Sequence, residues 1–356
     1  MAEQLNIGLI GARFAGNFHA ECWRCVPGVV LSAVADLDDD AREGLRARHN
    51  VPRGYREYRD LLADQSVDVV DICVPNYLHA EIAAAAMDDG KAVVCEKPLA
   101  TSLEDGKKVL SSQARTGAMY FYAEDWIFAP ALVRAQGLLA EGAVGRPLFF
   151  KGKECHNGSP SQFAQKISTC GGGSLLHLGA HPIGYFNSLL GMPESLTGFC
   201  SGGGKSNLLR DEVEGEDWGV GILVYPDGTR ALVEGNYITQ GGMDDVVEIY
   251  GSEGVIKVEL TFGSPLRVYS RAGFAYAVEK TDFTRGWTRP ALDENVSLGY
   301  RDEMAHFAAC MMGREKQRRG TTAIDGYNVL RTVETLYLSN RERRTITLRD
   351  NGEATL

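Results

Sequence analysis

The sequence lacks several features that would assign it to particular classes of protein. It has no long basic run, and its formal net charge is -10. A negative net charge without a long basic run argues against nucleic acid or an anionic membrane as the main partner. No apolar stretch is long enough to span a bilayer, and the first residues have neither the charge nor the apolar core of a signal peptide. We therefore expect a cytoplasmic protein with no membrane and no nucleic-acid partner.

A cysteine framework is also missing. The eight cysteines are scattered, which is typical of free thiols in a reducing compartment. Cys22 and Cys25 form a C-x-x-C pair that could serve redox or metal chemistry, but they lie in a predicted helix and no second pair matches them. There is no internal repeat and no low-complexity segment. We predict no metal centre.

What is present indicates a globular α/β protein. The 356 residues are 44% hydrophobic, which is enough for a sizeable core and a length typical of two domains. Up to residue 124, short apolar strands alternate with helices, and this pattern predicts parallel β-α-β units in a doubly wound sheet. After a linking helix, longer alternating strands predict a mostly antiparallel sheet. The expected domains are 1–124 and 125–356.

The first candidate site is the turn Gly11-Ala12-Arg13-Phe14-Ala15-Gly16. Small residues in such a turn let the backbone approach a pyrophosphate at a helix N-terminus. Arg13 replaces the middle glycine of the usual pattern. Asp36 follows twenty residues after Gly16, at the end of the second predicted strand, where a carboxylate accepts ribose hydroxyls.

These residues predict NAD as the cofactor. Asp36 would repel the 2′-phosphate of NADP, which makes NADP the less favoured cofactor. Arg13 leaves that alternative open, because it could meet such a phosphate. It could equally lie over the pyrophosphate or adenine, or pair with Asp36. A tight turn without any nucleotide is the other interpretation.

Two further segments place polar residues after predicted strands, where ligands bind in parallel sheets. The segment CVPNYLHA contains Pro75, Asn76 and His79, and VVCEKPLA contains Glu96 and Lys97. Each also has a structural interpretation. Asn76 could be a helix cap and His79 a surface residue, and Glu96 and Lys97 could form a surface ion pair.

The segment GGGSLLHLGAHPIG carries His177 and His181, four residues apart. On the single helix predicted here, this spacing places both on one face. The structural interpretation is a helix with one packed and one exposed histidine. A metal site is a further alternative, since Cys155, His156 and Cys170 are nearby in sequence. No glutamate lies between the two histidines, however, and the cysteine spacing fits no common zinc pattern.

Taken together, these segments resemble the Gfo/Idh/MocA oxidoreductases, the family of glucose–fructose oxidoreductase and inositol dehydrogenase. The resemblance covers nearly the whole chain, and EKP followed by GGG…H is its most specific part. It implies an N-terminal Rossmann domain that binds NAD(P). It also implies a C-terminal α/β domain with an open, mostly antiparallel sheet that forms homodimers or homotetramers. The implied substrates are sugars, polyols or their derivatives.

By motif position, the resemblance implies that Lys97 is the catalytic lysine and that His181 is the active-site histidine. It also implies that the Lys97–Pro98 region orients the lysine, and a cis peptide bond at Pro98 is one way to do so. It places Asn76 and His79 by the nicotinamide ribose, and Glu96 by the cofactor. His177 departs from the family, which usually has an aspartate there, and this leaves the acid/base group open. The remaining predicted contacts are these: Gly11, Arg13, Phe14, Asp36, Pro75 and Trp126 with the cofactor, and Lys153, His156, Asn157 and Tyr237 with the substrate.

The predicted chemistry is oxidation of a hydroxyl, with Lys97 and His181 as the central pair and His177 as a polariser or relay. An ordinary lysine is a poor base at neutral pH, and lowering its pKa by about 3 units requires about 4 kcal/mol of environmental bias. Burial and the charge of NAD+ act in that direction. Two alternatives remain: a glycosidase that oxidises its substrate transiently and eliminates the aglycone, and a non-catalytic NAD-binding regulator.

Overall fold

The structure is a computed structural model that describes residues 4–261, 263–264, 266–281 and 283–348. Its residues form two compact units. The first contains the chain up to Asp125 together with Gly299–Tyr327, and the second contains Trp126–Leu298 and the chain from Asn328 onward. The predicted division cut the chain once, after residue 124, whereas the observed contacts group residues 299–327 with the first unit.

Strands and helices alternate through the first part of the first unit. Its strands are β1 (Leu5–Ile10), β2 (Val29–Ala35), β3 (Arg53–Tyr55), β4 (Val69–Ile72), β5 (Ala92–Glu96) and β6 (Tyr120–Ala123). Its helices are α1 (Phe14–Trp23), α2 (Asp39–His49), α3 (Tyr58–Ala63), α4 (His79–Asp88) and α5 (Leu103–Thr116). Short 3-10 turns lie at Asn76–Leu78 and Asp125–Ile127.

The six strands form one parallel sheet in the order β3-β2-β1-β4-β5-β6. This order confirms the predicted doubly wound Rossmann arrangement. The strand order reverses between β1 and β4, and ligands of such sheets bind outside the carboxyl ends of the strands at that point. The Ser102 hydroxyl accepts the Asp105 N–H at 3.1 Å and so caps the N-terminus of α5.

The second unit contains most of the remaining elements. Its strands are β7 (Pro147–Cys155), β8 (Ser195–Cys200), β9 (Trp218–Val224), β10 (Arg230–Asn236), β11 (Val246–Gly251), β12 (Val255–Glu259), β13 (Val268–Ser270), β14 (Gly286–Thr288) and β15 (Ile346–Thr347). Its helices are α6 (Pro130–Ala140), α7 (Ile167–Cys170), α8 (Ser174–His177), α9 (Ala180–Leu190) and α10 (Glu294–Ser297), with 3-10 turns at Gln162–Gln165 and Gly204–Ser206. Helix α11 (Tyr300–Met311) belongs to the first unit, and α12 (Ala323–Glu342) begins there and continues in the second.

Seven of these strands form a sheet in the order β12-β11-β7-β10-β9-β8-β15. Only the β7–β10 pair is parallel among the described pairings, so the prediction of a mostly antiparallel sheet is confirmed. Strand β13 lies outside this sheet and pairs with β14. Strand β8 was not predicted, because Gly198 interrupts its alternating pattern. In the described part of the chain, no helix combines the length and apolar character that a membrane crossing requires.

The helix predicted across both histidines of GGGSLLHLGAHPIG is interrupted. The Ser174 carbonyl accepts the N–H groups of both Leu178, at 2.8 Å, and Gly179, at 3.1 Å. The second bond spans five residues rather than four, so the turn holds an extra residue and α8 ends at His177. The sequence had predicted that their four-residue spacing places His177 and His181 on one face of a single helix. Because the helix is interrupted between them, this prediction was wrong.

Candidate functional site

The turn between β1 and α1 is closed by backbone alone. Gly11 has a φ of +102°, and a Cβ there would lie 2.4 Å from the carbonyl oxygen of Cys73. A Cβ on Gly16 would lie 1.9 Å from the carbonyl oxygen of Gly11. No side chain fits at either position, and the result is an open backbone cradle at the start of α1. This is the shape that a dinucleotide pyrophosphate requires.

Asp36 is fixed beside this cradle, just past the end of β2. Its carboxylate accepts the Ala12 N–H at 2.7 Å and the Asp38 N–H at 2.8 Å. Arg13 does not pair with Asp36, one of its predicted roles, but forms an exposed ion pair with Asp38. The first unit therefore presents a backbone cradle with a carboxylate at the ribose position, and these residues fit NAD. Phe14 begins α1 with its side chain 56% exposed.

His79 links the ends of β4 and β5. Its two ring nitrogens lie 2.7 Å from the Pro98 carbonyl oxygen and 2.9 Å from the Val74 carbonyl oxygen. The residue is 1% exposed, and burial lowers the pKa of its imidazole. Both nitrogens face the backbone, which gives His79 a structural role. That His79 also lies by the nicotinamide ribose stays a prediction. Asn76 begins the 3-10 turn that follows Pro75, and both are half-buried.

The Lys97–Pro98 peptide bond is cis, as the family resemblance implied. Lys97 follows the last residue of β5 and is half-buried. Its backbone N–H donates to the Glu96 carboxylate at 3.0 Å. His79 holds the Pro98 carbonyl on the other side, so the backbone on both sides of Lys97 is fixed at the carboxyl edge of the parallel sheet.

Sequence reasoning missed two residues behind this loop. His19 of α1 and Asp71 of β4 are both fully buried, and the His19 ring lies 2.9 Å from both Asp71 and Glu96 oxygens. A signal was available, because Asp71 is an acidic residue inside an otherwise apolar buried strand. Such a residue requires a buried partner.

In the second unit, His177 and Tyr237 form a hydrogen-bonded pair. Burial raises the pKa of Tyr237 well above its ordinary value, so its hydroxyl stays protonated and donates to Nδ1 of His177. The other ring nitrogen of His177, Nε2, lies 3.4 Å from the Cys170 carbonyl oxygen. The His156 ring stacks on Tyr237 with centroids 6.0 Å apart, and its Nδ1 accepts the Gly158 N–H. Three predicted substrate residues are thus brought together.

His181 makes its contacts with other residues than His177 does. Its Nε2 lies 3.3 Å from the Glu154 carboxylate, and its ring stacks on the Trp126 indole at 5.7 Å. Trp126 is 1% exposed. Trp126 therefore packs against His181, and its predicted contact with the cofactor stays a prediction.

Two other predicted substrate residues have partners in the second unit. Lys153 forms an ion pair with Asp244; burial opposes its charge, but this bond raises the pKa of its amine. Lys153 is therefore an ammonium group that can donate to a hydroxyl. The backbone carbonyl of Asn157 accepts a hydrogen bond from the Arg210 guanidinium.

A buried carboxylate holds the glycine segment before α8. Glu216 accepts the N–H groups of Gly173, at 3.1 Å, and Leu175, at 2.8 Å, and the Tyr337 hydroxyl at 2.9 Å. Burial raises the pKa of Glu216 to about 7. Glu216 was not predicted; its role is to fix the entry of the helix that carries His177.

The metal and redox alternatives gain no support from these groups. Within the described residues, no set of three metal-ligating side chains unites His177 with Cys155, His156 or Cys170. Cys22 is buried and Cys25 exposed, and both are free. Burial raises the pKa of the Cys22 thiol to about 12, which suppresses the reactive thiolate.

Comparison with known proteins agrees with this architecture. Residues 5–124 match the model of an oxidoreductase family with an NAD-binding Rossmann fold, and residues 136–348 match its C-terminal alpha/beta domain. Levoglucosan dehydrogenase of Pseudarthrobacter phenanthrenivorans is 27% identical over 81% of this chain and 81% of its own. D-apiose dehydrogenase of Paraburkholderia graminis is 25% identical over 96% of this chain and 89% of its own.

A solved structure shows the same fold with a cofactor. GenD2 from gentamicin A biosynthesis, crystallised in complex with NAD, superimposes with a TM-score of 0.89 at 26% identity, covering 98% of this chain and 97% of its own. With the cradle at Gly11 and Gly16 and the carboxylate of Asp36, this assigns NAD as the cofactor. The chain belongs to the Gfo/Idh/MocA family of NAD-dependent oxidoreductases.

Proposed function

We propose that this enzyme is a dehydrogenase of carbohydrate metabolism that oxidises a secondary hydroxyl of a sugar, polyol or sugar derivative. The observation that carries the proposal is the fixed backbone around Lys97, held by Glu96 on one side and by His79 through Pro98 on the other. Such anchoring suits a reacting amine that must not move away from its substrate. The relatives named above for levoglucosan and D-apiose support a sugar as the substrate class.

In this mechanism, bound NAD+ supplies the hydride-accepting chemistry. The task of the protein is to take the hydroxyl proton, and we assign it to the Nζ atom of Lys97. An amine can accept that proton at neutral pH only if its pKa lies well below the ordinary value near 10.4. Partial burial lowers the pKa of an amine, because burial disfavours its charged form.

The second unit supplies candidates for binding the other hydroxyls. Tyr237 is only 2% exposed, so it acts through its hydrogen bond to the half-buried His177 rather than on the substrate directly. Lys153 offers a charged donor, and His156 lies against Tyr237. That Lys97 and His181 form the central catalytic pair stays a prediction, as do the substrate contacts of these residues.

A substrate screen tests the proposed function. We expect the purified enzyme with NAD+ to form net NADH from at least one of levoglucosan, apiose, the inositols or common free sugars, read as absorbance of the reduced nicotinamide. Glycosides are included, because release of an aglycone without net NADH would assign the oxidation–elimination reaction instead. Failure of every compound to react would contradict both assignments. A Lys97→Ala preparation controls for contaminating dehydrogenases.

Cofactor choice should follow Asp36. We expect NAD+ to bind about 10- to 100-fold more tightly than NADP+, since a hydrogen bond to a charged group contributes about 1.5–3 kcal/mol and a phosphate would be repelled. Asp36→Ser should reduce this ratio, whereas Asp40→Ser, an exposed carboxylate on α2, should leave it unchanged. Titration of both cofactors by protein fluorescence measures the ratio. Equal or tighter binding of NADP+ by the wild type would make Arg13 a phosphate ligand.

We also propose that the protein is a homodimer or homotetramer formed through the open face of the seven-stranded sheet. On this face Phe199 lies opposite Val220, and Ile222 opposite Leu232. Phe199 is 57% and Ile222 44% exposed. Adjacent exposed apolar residues of this kind are typical of interfaces. The molecular mass in solution, measured by analytical ultracentrifugation, tests the assembly.

The cytoplasm is the compartment that we propose. All eight cysteines are free, and five of them are buried. Free thiols are the usual state of cysteine in a reducing compartment. Cell fractionation with an antibody against the protein tests the assignment.

A further inference from the structure

A buried chain of polar groups runs behind Lys97 in the first unit. Nδ1 of His19 lies 3.0 and 2.9 Å from the two Asp71 carboxylate oxygens, and Nε2 lies 2.9 Å from a Glu96 oxygen. The Trp23 indole N–H donates to Asp71 at 2.7 Å. His19, Trp23 and Asp71 are each fully buried. The residues come from α1, β4 and the end of β5, so the chain joins three elements.

The geometry requires a charged imidazole. A neutral histidine carries one N–H and would turn a lone pair toward one of the two carboxylates. Burial opposes the charge on His19, but Asp71 outweighs it and raises the pKa of the imidazole well above its ordinary value. His19 is therefore an imidazolium ion between two carboxylates.

The other groups around His19 do not compete for this role. Glu303 of α11 is fully buried, and burial disfavours its charged form and raises its pKa well above the ordinary value. Burial likewise keeps the thiols of Cys22 and Cys73 protonated by raising their pKa values. The Tyr300 ring of α11 lies 6.2 Å from the His19 ring and carries no charge. Asp71 and Glu96 remain as the charged partners.

A metal does not explain the cluster. His19, Asp71 and Cys73 bring ligand atoms within 4.8 Å of one another. Each nitrogen of His19 already donates a proton to a carboxylate, however, and a metal ligand needs a free lone pair on nitrogen. The cluster is a hydrogen-bonded chain.

The hydrogen-bonded series of polar groups ends at the backbone of Lys97. One Glu96 oxygen accepts from His19 and the other accepts the Lys97 N–H at 3.0 Å. With both oxygens bound, the carboxylate has one orientation, and it sets the direction of the peptide that leads into Lys97. His19 also lies less than two helical turns from the glycine cradle, because α1 begins at Phe14.

We propose that His19 is a positioning residue for catalysis, which acts through Glu96 to hold Lys97 and is itself held by Asp71 and Trp23. This inference rests on the proposed role of Lys97 as proton acceptor. A displacement of about 1 Å at a reacting group can lower the rate about 100-fold. His19 is thus expected to affect turnover without touching substrate or cofactor.

The test compares His19→Gln with wild type. We expect kcat to fall about 10- to 100-fold, because the neutral amide cannot bridge two carboxylates, while the Kd for NAD+ changes less than about 3-fold. A merely structural role would instead weaken cofactor binding and stability together with turnover. His49→Gln is the matched control, because His49 is also buried in the first unit and its ring nitrogens have no hydrogen-bond partner among the described residues. It should retain wild-type kcat.

A double variant separates this inference from the proposed function. In a Lys97→Ala background, His19→Gln should lower the residual rate by less than about 2-fold, since its effect passes through Lys97. Full additivity of the two losses would overturn the inference. A wild-type rate for Lys97→Ala would overturn the role of Lys97 itself, whereas a wild-type rate for His19→Gln alone would overturn only the role of His19.

Two further measurements do not depend on turnover. In NMR spectra of the protein without cofactor, the His19 ring should remain protonated well above pH 6.5, and Asp71→Asn should lower its pKa. A ring that titrates at or below the ordinary histidine value would contradict the carboxylate bridge. If His19→Gln fails to fold, Asp71→Asn replaces it in the kinetic test, with a smaller loss of kcat expected and unchanged kcat counting against the inference.

Discussion

Replacing Lys97 with alanine should lower kcat by about 10²–10⁴-fold, the usual contribution of a general acid or base. The affinity for NAD+ should stay within about 3-fold, since the cradle at Gly11 and Gly16 and the carboxylate of Asp36 are independent of the lysine side chain. Steady-state kinetics with the substrate found in the screen, together with equilibrium titration of NAD+, measure the two effects separately.

Two variants sharpen this result. Lys108→Ala removes an exposed lysine of α5 in the same unit and should have wild-type kinetics. Lys97→Arg keeps the positive charge but cannot release a proton near neutral pH. It should therefore be as inactive as the alanine variant if Lys97 is the base, and partly active if the charge only stabilises an oxyanion. Near-normal turnover of Lys97→Ala would show that the lysine is not catalytic.

Replacing Gly16 with alanine should abolish tight NAD+ binding. The added Cβ would lie 1.9 Å from the Gly11 carbonyl oxygen, which is backbone and can yield only if the turn itself moves. We expect the Kd for NAD+ to rise at least about 10-fold, and the free energy of unfolding to fall by about 1–3 kcal/mol, as is typical of overpacked sites. Calorimetric titration and urea denaturation measure the two quantities.

Gly44→Ala is the matched control for this substitution. Gly44 lies within α2, and a Cβ there would have no atom within 4 Å. Alanine is preferred over glycine inside a helix by about 1 kcal/mol. The control should therefore raise stability and leave the Kd for NAD+ unchanged. If Gly16→Ala behaved in the same way, the turn would not be the tightly packed backbone turn described above.

The sequence predicted the first unit well, because its signals are local. Strand β1, Leu5–Ile10, is one example, since an apolar run that ends at a glycine turn indicates a buried strand. The carboxyl edge of the sheet follows from topology, so Asp36 and Lys97 could be placed near a ligand before their contacts were known. The pairing of β9 with β10 was also predictable, because YPDGTR is a strong turn signal.

Long-range contacts account for most of the failures. Nothing local reveals that His79 bonds the Pro98 carbonyl or that Trp126 stacks on His181. The interruption between α8 and α9 depends on one carbonyl accepting two N–H groups, and periodicity cannot detect this. The partner of Asp71 could not be identified either, because His19 lies 52 residues away on another element.

The return of residues 299–327 to the first unit has a consequence for how the chain is made. Phe18 of α1 packs against Tyr300 with centroids 5.6 Å apart, and Phe121 of β6 packs against Phe307 at 4.8 Å. During synthesis, the Rossmann sheet emerges from the ribosome long before these partners. The side chains of Phe18 and Phe121 therefore lack these packing partners while residues 126–298 are translated. In the cell, the nucleotide-binding unit begins to form first but is completed only after most of the other unit has been synthesised.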